Sequence, residues 1–125
     1  MLLAIKRRVD LDREAGRYIL TGAHLENIVA TDLLAWSVAA KGRPGILHWR
    51  TSAGAEVDFV IELAGRLLPV EVKATKRVQP RDARHLRAFL AEYRDLAGGA
   101  LLLYGGSETL WLDRDVLATP WHRVL

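Results

Sequence analysis

Three charged residues have the types and spacing of a hydrolytic metal site: Asp58, and further along the chain the Glu71-x-Lys73 pair. Two acids beside one lysine can hold a hard divalent cation and steady a phosphoryl group under attack. They lie in Ala55–Ala74, AEVDFVIELAGRLLPVEVKA, which has the pattern of two strands. Over Glu56–Leu63, alternation assigns Val57, Phe59, Ile61 and Leu63 to one face and Asp58 to the other. After the turn Ala64-Gly65-Arg66, Leu68, Val70, Val72 and Ala74 share a face, and Leu67, Pro69, Glu71 and Lys73 share the opposite one. Strand residues two apart point the same way at roughly 6.5 Å, so a hairpin would bring Asp58, Glu71 and Lys73 together.

The rest of the chain must position that hairpin. Residues 1–16 hold a short apolar start, Lys6-Arg7-Arg8 and the charged stretch Asp10–Glu14, which we read as a helix; Arg17–Leu20 reads as a short strand. From about Ala23 to Ala40, Leu25, Ile28, Val29, Leu33 and Trp36 recur at helical spacing. Glu26 lies at the edge of that stripe. Asp32 falls within it, for which a structural pair with an arginine is the first expectation. Lys41–Gly45 ends the helix, Ile46–Thr51 reads as the first strand of a meander, and Ser52–Gly54 turns into the hairpin. Pro80 opens a second helix to about Leu96, with Leu86, Phe89, Leu90 and Tyr93 as its core stripe and Arg81, Arg84, His85, Arg87 and Arg94 over the remainder. Gly98-Gly99 stops it. Ala100–Tyr104 then reads as a strand buried on both faces, parallel to Leu67–Ala74 through a right-handed crossover. A last strand is expected around Leu110–Leu112, with Pro120-Trp121 packing back on the domain.

Composition narrows the chemistry. The 125 residues suit one domain, without internal repeats. With no cysteine, disulfides, thiolate zinc sites and a cysteine nucleophile are excluded, and a cytoplasmic setting is expected. Met1–Ile5 is too short for a signal-peptide core, and no apolar run approaches a membrane span. The net charge of +3 leaves room for a polyanionic partner such as nucleic acid. No G-x-x-x-x-G-K-[ST] loop is present, so neither nucleotide triphosphate binding nor ATPase activity is expected. The four histidines have no metal-ligand spacing, and the four tryptophans read as packing residues.

The order helix, three-strand meander, helix, strand, with the acids and lysine on the second and third strands, resembles the PD-(D/E)xK superfamily, the restriction-endonuclease-like fold. A closer resemblance rests on Leu25-Glu26-Asn27-Ile28-Val29, Asp32-Leu33-Leu34, Trp49-Arg50-Thr51, Gly54–Val60 and Pro69-Val70-Glu71-Val72-Lys73. These motifs look like the nuclease-like C-terminal domain, of unknown function, carried by a prokaryotic family of AAA-type ATPases. The likeness covers residues 22–125. Asp10–Gly22, with Gly16–Gly22, is similar to a strand near the end of that family's ATPase core, so residues 1–21 resemble a remnant of that domain and the chain looks like an internally deleted relative that kept the C-terminal domain.

The resemblance implies an α/β fold with a mixed central sheet and a phosphodiester hydrolase site. Asp58 and Glu71 would each give a carboxylate oxygen to Mg²⁺ or Mn²⁺, the Val72 carbonyl a third ligand, and Glu26 a hold on a coordinated water or second ion. Lys73 would orient the attacking water or neutralise developing charge, and Lys76, Arg77, Arg81 and Arg84 would take backbone phosphates. Each residue has a plainer alternative. Glu71 and Lys73 could form a solvated strand face with a cross-strand ion pair, Glu26 could cap the helix or pair with Arg50, and the arginines could be a soluble surface. The rival function is an inactive nuclease-fold scaffold that binds a protein or forms a homo-oligomer through surface left by a lost covering domain.

Overall fold

The Ala55–Ala74 stretch forms a hairpin. In the computed structural model, which describes residues 5–7 by their backbone and 22–124 in full, β3 (Glu56–Leu63) and β4 (Arg66–Lys73) pair antiparallel. The turn between them places both Ala64 and Gly65 at positive φ, 53° and 76°, the backbone twist that a two-residue hairpin favours. This hairpin is the centre of a seven-stranded mixed sheet ordered β1-β2-β3-β4-β5-β7-β6, where β1 is Ile5–Arg7, β2 Gly45–Arg50, β5 Ala100–Tyr104, β6 Leu110–Asp113 and β7 Val116–Pro120. The pairs β4–β5 and β5–β7 are parallel and the others antiparallel, so the expected crossover from β4 to a parallel β5 is present.

The two helices cover opposite faces. Helix α1 (Gly22–Ala39) buries Leu25, Val29, Ala30 and Leu33 against Ile46, Phe59, Val70 and Leu103. Helix α2 (Arg84–Glu92), entered through a 3-10 turn at Pro80–Ala83, buries Leu86 and Phe89 against Trp49, Val60, Leu102 and Ala118. The Phe89 ring meets Trp49 edge-on at 5.2 Å and lies 4.6 Å from Tyr93, an arrangement that adds quadrupole attraction to the area buried. Residues of β4 divide between the faces as their alternation requires, with Leu67 on the α2 side and Val70 on the α1 side.

Several expectations are corrected. Ile5–Arg7 is a strand paired with β2, not part of a helix; the expected strand at Arg17–Leu20 lies outside the described residues. The second helix stops at Glu92, where Tyr93 has already left helical geometry, and Leu96 is exposed. The segment after β6 is a full strand, β7, inserted between β5 and β6. Trp36 is 43% exposed rather than part of the core stripe, and Ile28 also reaches solvent. Asp32 is exposed and makes no arginine pair among the described residues. Val57 does not share a face with Phe59: it packs with Val60 in the α2-side core, because the β2–β3 register slips between Leu47/Val60 and Trp49/Val57. Two residues, Asp58 and Phe59, stand opposite the single His48, so a bulge interrupts the strict alternation.

Candidate functional site

The bulge falls beside the acids. The β3–β4 ladder runs from Leu63↔Arg66 to Phe59↔Val70, and beyond it the Val72 backbone N–H donates 2.8 Å to Asp58 Oδ2. A side-chain oxygen thus stands where a strand carbonyl would continue the pairing. On its other edge β4 continues to pair, with Glu71 opposite Leu102 and Lys73 opposite Tyr104. Asp58 is held from the β2 side as well, since the His48 ring Nδ1 lies 3.3 Å from its carbonyl oxygen.

Glu71 is the unusual group. Only 6% exposed, its carboxyl is pushed up from 4.5 to about 8, first by burial, which penalises the charged form, then by the negative charge of Asp58. Lys73 opposes the shift; Glu56 and Glu26 add to it. Three acids therefore act on Glu71, which holds its proton at neutral pH. Glu26 reaches this group from α1 as a half-buried side chain with its Oε1 buried. Arg50, a potential partner for Glu26, meets Glu56 at 3.2 Å.

Glu71 and Lys73 open into a small polar cavity of ≈ 60 Å³ whose other walls are Arg81, Asp82, Arg84 and His85. Asp82 shapes the turn before α2 by accepting the Gln79 N–H at 2.8 Å, while Asp82 N–H donates to the Gln79 carbonyl at 2.9 Å. His85 Nδ1 lies 3.1 Å from the Glu56 carbonyl and its Nε2 accepts from Arg84 Nε at 3.4 Å, tying the helix start to β3. Lys76 and Arg77 are exposed in the loop after β4, where Thr75 Oγ1 donates to the Arg77 carbonyl and accepts its N–H.

The structure therefore brings Asp58, Glu71 and Lys73 together, with Arg81 and Arg84 at the same cavity; Lys76 and Arg77 stand on the adjoining loop. Sequence reasoning overlooked His85, Asp82 and Glu56 as neighbours of this site. Gln79-Pro80-Arg81-Asp82 carried a usable signal for Asp82, an acid at the third position of a helix opening with proline. Nothing local marks His85 or Glu56, whose places depend on how α2 lies across the sheet.

The donor chemistry fits a hard divalent ion. Two carboxylates forced together at a buried position repel, and a dication would relieve both that repulsion and the desolvation of Glu71. Among the described residues no three His, Asp or Glu side chains form a ready-made cage.

No helix among the described residues is long and apolar enough to cross a membrane. No solved structure matches the chain. Among curated proteins it is similar to the uncharacterized proteins Mb2031c of Mycobacterium bovis and Rv2008c of Mycobacterium tuberculosis, 34% identical to each over 99% of this chain. It spans 25% of the length of each of these relatives. A family described as a domain of unknown function, DUF4143, matches residues 21–124, so the chain belongs to the DUF4143 family.

Proposed function

We propose that this domain is a divalent-metal-dependent nuclease, or a nuclease-like nucleic-acid-binding domain, of the PD-(D/E)xK type. One observation carries the reading: a glutamate buried in mid-sheet, raised to about 8 by burial and by Asp58, opens into a cavity walled by Lys73, Arg81 and Arg84. A strand face serving only as a solvated ion pair has no reason to bury its acid beside a second acid.

Asp58 and Glu71 would hold Mg²⁺ or Mn²⁺, with the Val72 carbonyl as a third ligand and Glu26 as a hold on a coordinated water or second ion. When bound, the ion supplies charge neutralisation at the phosphoryl group and acidifies a water. The chain's own residues supply the remainder. The Val72 N–H fixes the Asp58 carboxylate, so its orientation costs no reorganisation on binding. Lys73 offers a fixed positive charge to a phosphorane oxygen or orients the attacking water. Arg81 and Arg84 would hold a backbone phosphate at the cavity, and Lys76 and Arg77 would take the neighbouring ones, giving affinity without base readout. In this reading, residues 22–125 form the nuclease-like unit and residues 1–21 a short segment before it.

The test is a calorimetric titration of Mn²⁺ into the purified chain beside Asp58→Asn and Glu71→Gln. Binding by the parent, lost in both variants, supports the site and directs a search through DNA and RNA substrates. If millimolar Mn²⁺ gives no heat with or without oligonucleotide, the hydrolytic reading fails and the inactive scaffold replaces it.

A further inference from the structure

The cavity at Glu71 gathers more positive charge than its acids balance. Its walls set Lys73, Arg81 and Arg84 against Asp82 and Glu71, with His85 completing them. None of these three cations forms an ion pair among the described residues. Asp82 is turned to the backbone, where its Oδ2 accepts the Gln79 N–H at 2.8 Å. In the proposed metal site the dication would balance Asp58 and Glu71, which leaves the walls an excess of two positive charges, Lys73, Arg81 and Arg84 against Asp82 alone. The surroundings do not remove that excess. Glu56 is paired with Arg50 and Asp113 with Arg87, while Glu26 on α1 is outnumbered by Lys76 and Arg77 on the loop after β4. Like charges gathered around one small space repel, and an anion seated between them relieves the repulsion.

Size and donors say which anion. At ≈ 60 Å³ the cavity has the volume of about two waters, far below the roughly 300 Å³ at which pockets for whole small molecules begin. It admits a phosphoryl group but not the nucleoside attached to it. His85 Nδ1 lies 3.1 Å from the Glu56 carbonyl, which only accepts, so Nδ1 carries the proton and Nε2 accepts from Arg84 Nε at 3.4 Å. That contact orients the guanidinium and leaves the Arg84 Nη groups without a partner among the described residues, the fork that grips two oxygens of one phosphate.

We infer that the cavity seats the terminal phosphate of a nucleic-acid strand, held by Lys73, Arg81 and Arg84, so that substrates enter by a phosphorylated end. This rests on the nuclease reading and narrows its substrate class. A phosphodiester carries a single negative charge and has two unesterified oxygens, whereas a terminal monoester carries close to two charges and has three. The monoester therefore matches both the charge excess and the three cationic side chains. Only one of its oxygens leads out to a sugar, while an internal diester must lead a nucleoside out on each side of so small a space. Lys76 and Arg77 then take the next phosphates along the strand.

Fluorescence anisotropy with the full chain tests this. DNA strands of about ten nucleotides carry a phosphate, a hydroxyl or a methyl-capped phosphate at the 5′ end and a dye at the other; a second set carries the same groups at the 3′ end. Titrations run with Ca²⁺ at one salt concentration, and gels verify that the strands stay intact. In one set the phosphorylated strand should bind about tenfold more tightly than its hydroxyl and methyl-capped counterparts, which also identifies the end that is read. Arg81→Gln and Arg84→Gln, both at exposed positions and checked for folding by circular dichroism, should each remove most of that preference. Lys76→Gln should weaken all strands alike. Strands that bind equally in both sets, or not at all, would overturn the inference, as would a preference that survives both arginine variants. Mn²⁺ calorimetry on the same protein keeps the two failures apart. Equal strands with Mn²⁺ binding intact remove the terminal seat alone, whereas absent Mn²⁺ binding removes the nuclease reading and this inference with it.

Discussion

Asp58 Oδ2 accepts the Val72 N–H, so removing this side chain does more than remove a charge. Asp58→Ala leaves a strand N–H without an acceptor, at an expected cost of about 1–2 kcal/mol in urea unfolding. Asp58→Asn keeps a carbonyl oxygen there and should cost less, while still abolishing metal affinity. Glu71 makes the complementary case. Folded, it keeps its proton up to about pH 8; unfolded, it releases it near 4.5. Between those values the folded chain binds more protons, so this group's contribution to stability falls as pH rises through the window. Glu71→Gln should flatten that dependence and raise stability at pH 8 by about 1–3 kcal/mol, which melting curves at pH 5 and pH 8 would measure. A variant less stable than the parent at pH 8 would mean that the carboxyl is held by a cation or partner that the amide cannot satisfy.

Among the elements, the link from β5 to β6 is tied to the loop that follows Lys73. Gly105 N–H donates to the Thr75 carbonyl at 2.8 Å, and a Cβ on Gly106 would come within 2.7 Å of the Lys76 carbonyl as well as striking the Tyr104 ring. Gly106→Ala must therefore displace the loop that follows Lys73. A loss of about 1–3 kcal/mol is expected, together with weaker metal binding, whereas Gly22→Ala, with nothing near its Cβ, should leave metal binding unchanged. Denaturant titrations with Mn²⁺ calorimetry on both variants decide it. The elements also mark where sequence patterning runs out. Alternation located β4 and both of its faces because that strand is regular from Arg66 to Lys73. It misplaced Val57 because a bulge changes which residues share a face, and the partner residue, His48, lies on another strand. The strand β7 escaped because Val116–Pro120 contains a proline and sits between two strands distant in sequence, and Trp36 was assigned to the core because helical spacing does not say which side of an apolar helix meets the sheet. Asp58, Glu71 and Lys73 were legible from their pattern; the cavity walls Asp82 and His85 required the crossing of α2 over the sheet.

At the scale of the whole molecule, the sheet separates two surfaces of different character. The helix on the α1 side carries no lysine or arginine, whereas Arg81, Arg84 and Arg87 gather on the α2 side, the last paired with Asp113 at 3.3 Å. A polyanion attracted only by the net charge of +3 would respond to charge added or removed anywhere. One seated at the cavity would respond to its own arginines. Each phosphate neutralised contributes roughly one to the slope of log K against log salt, so Arg81→Ala with Arg84→Ala should reduce that slope by about 1–2 for a short oligonucleotide, read by fluorescence anisotropy. Asp32→Arg raises the net charge by two on the opposite side and should leave affinity within about twofold at moderate salt, because charges beyond a Debye length of about 10 Å are screened. Both effects together are needed. If Asp32→Arg strengthens binding as much as the arginine pair weakens it, nucleic acid is held by diffuse charge and the cavity at Glu71 takes no phosphate.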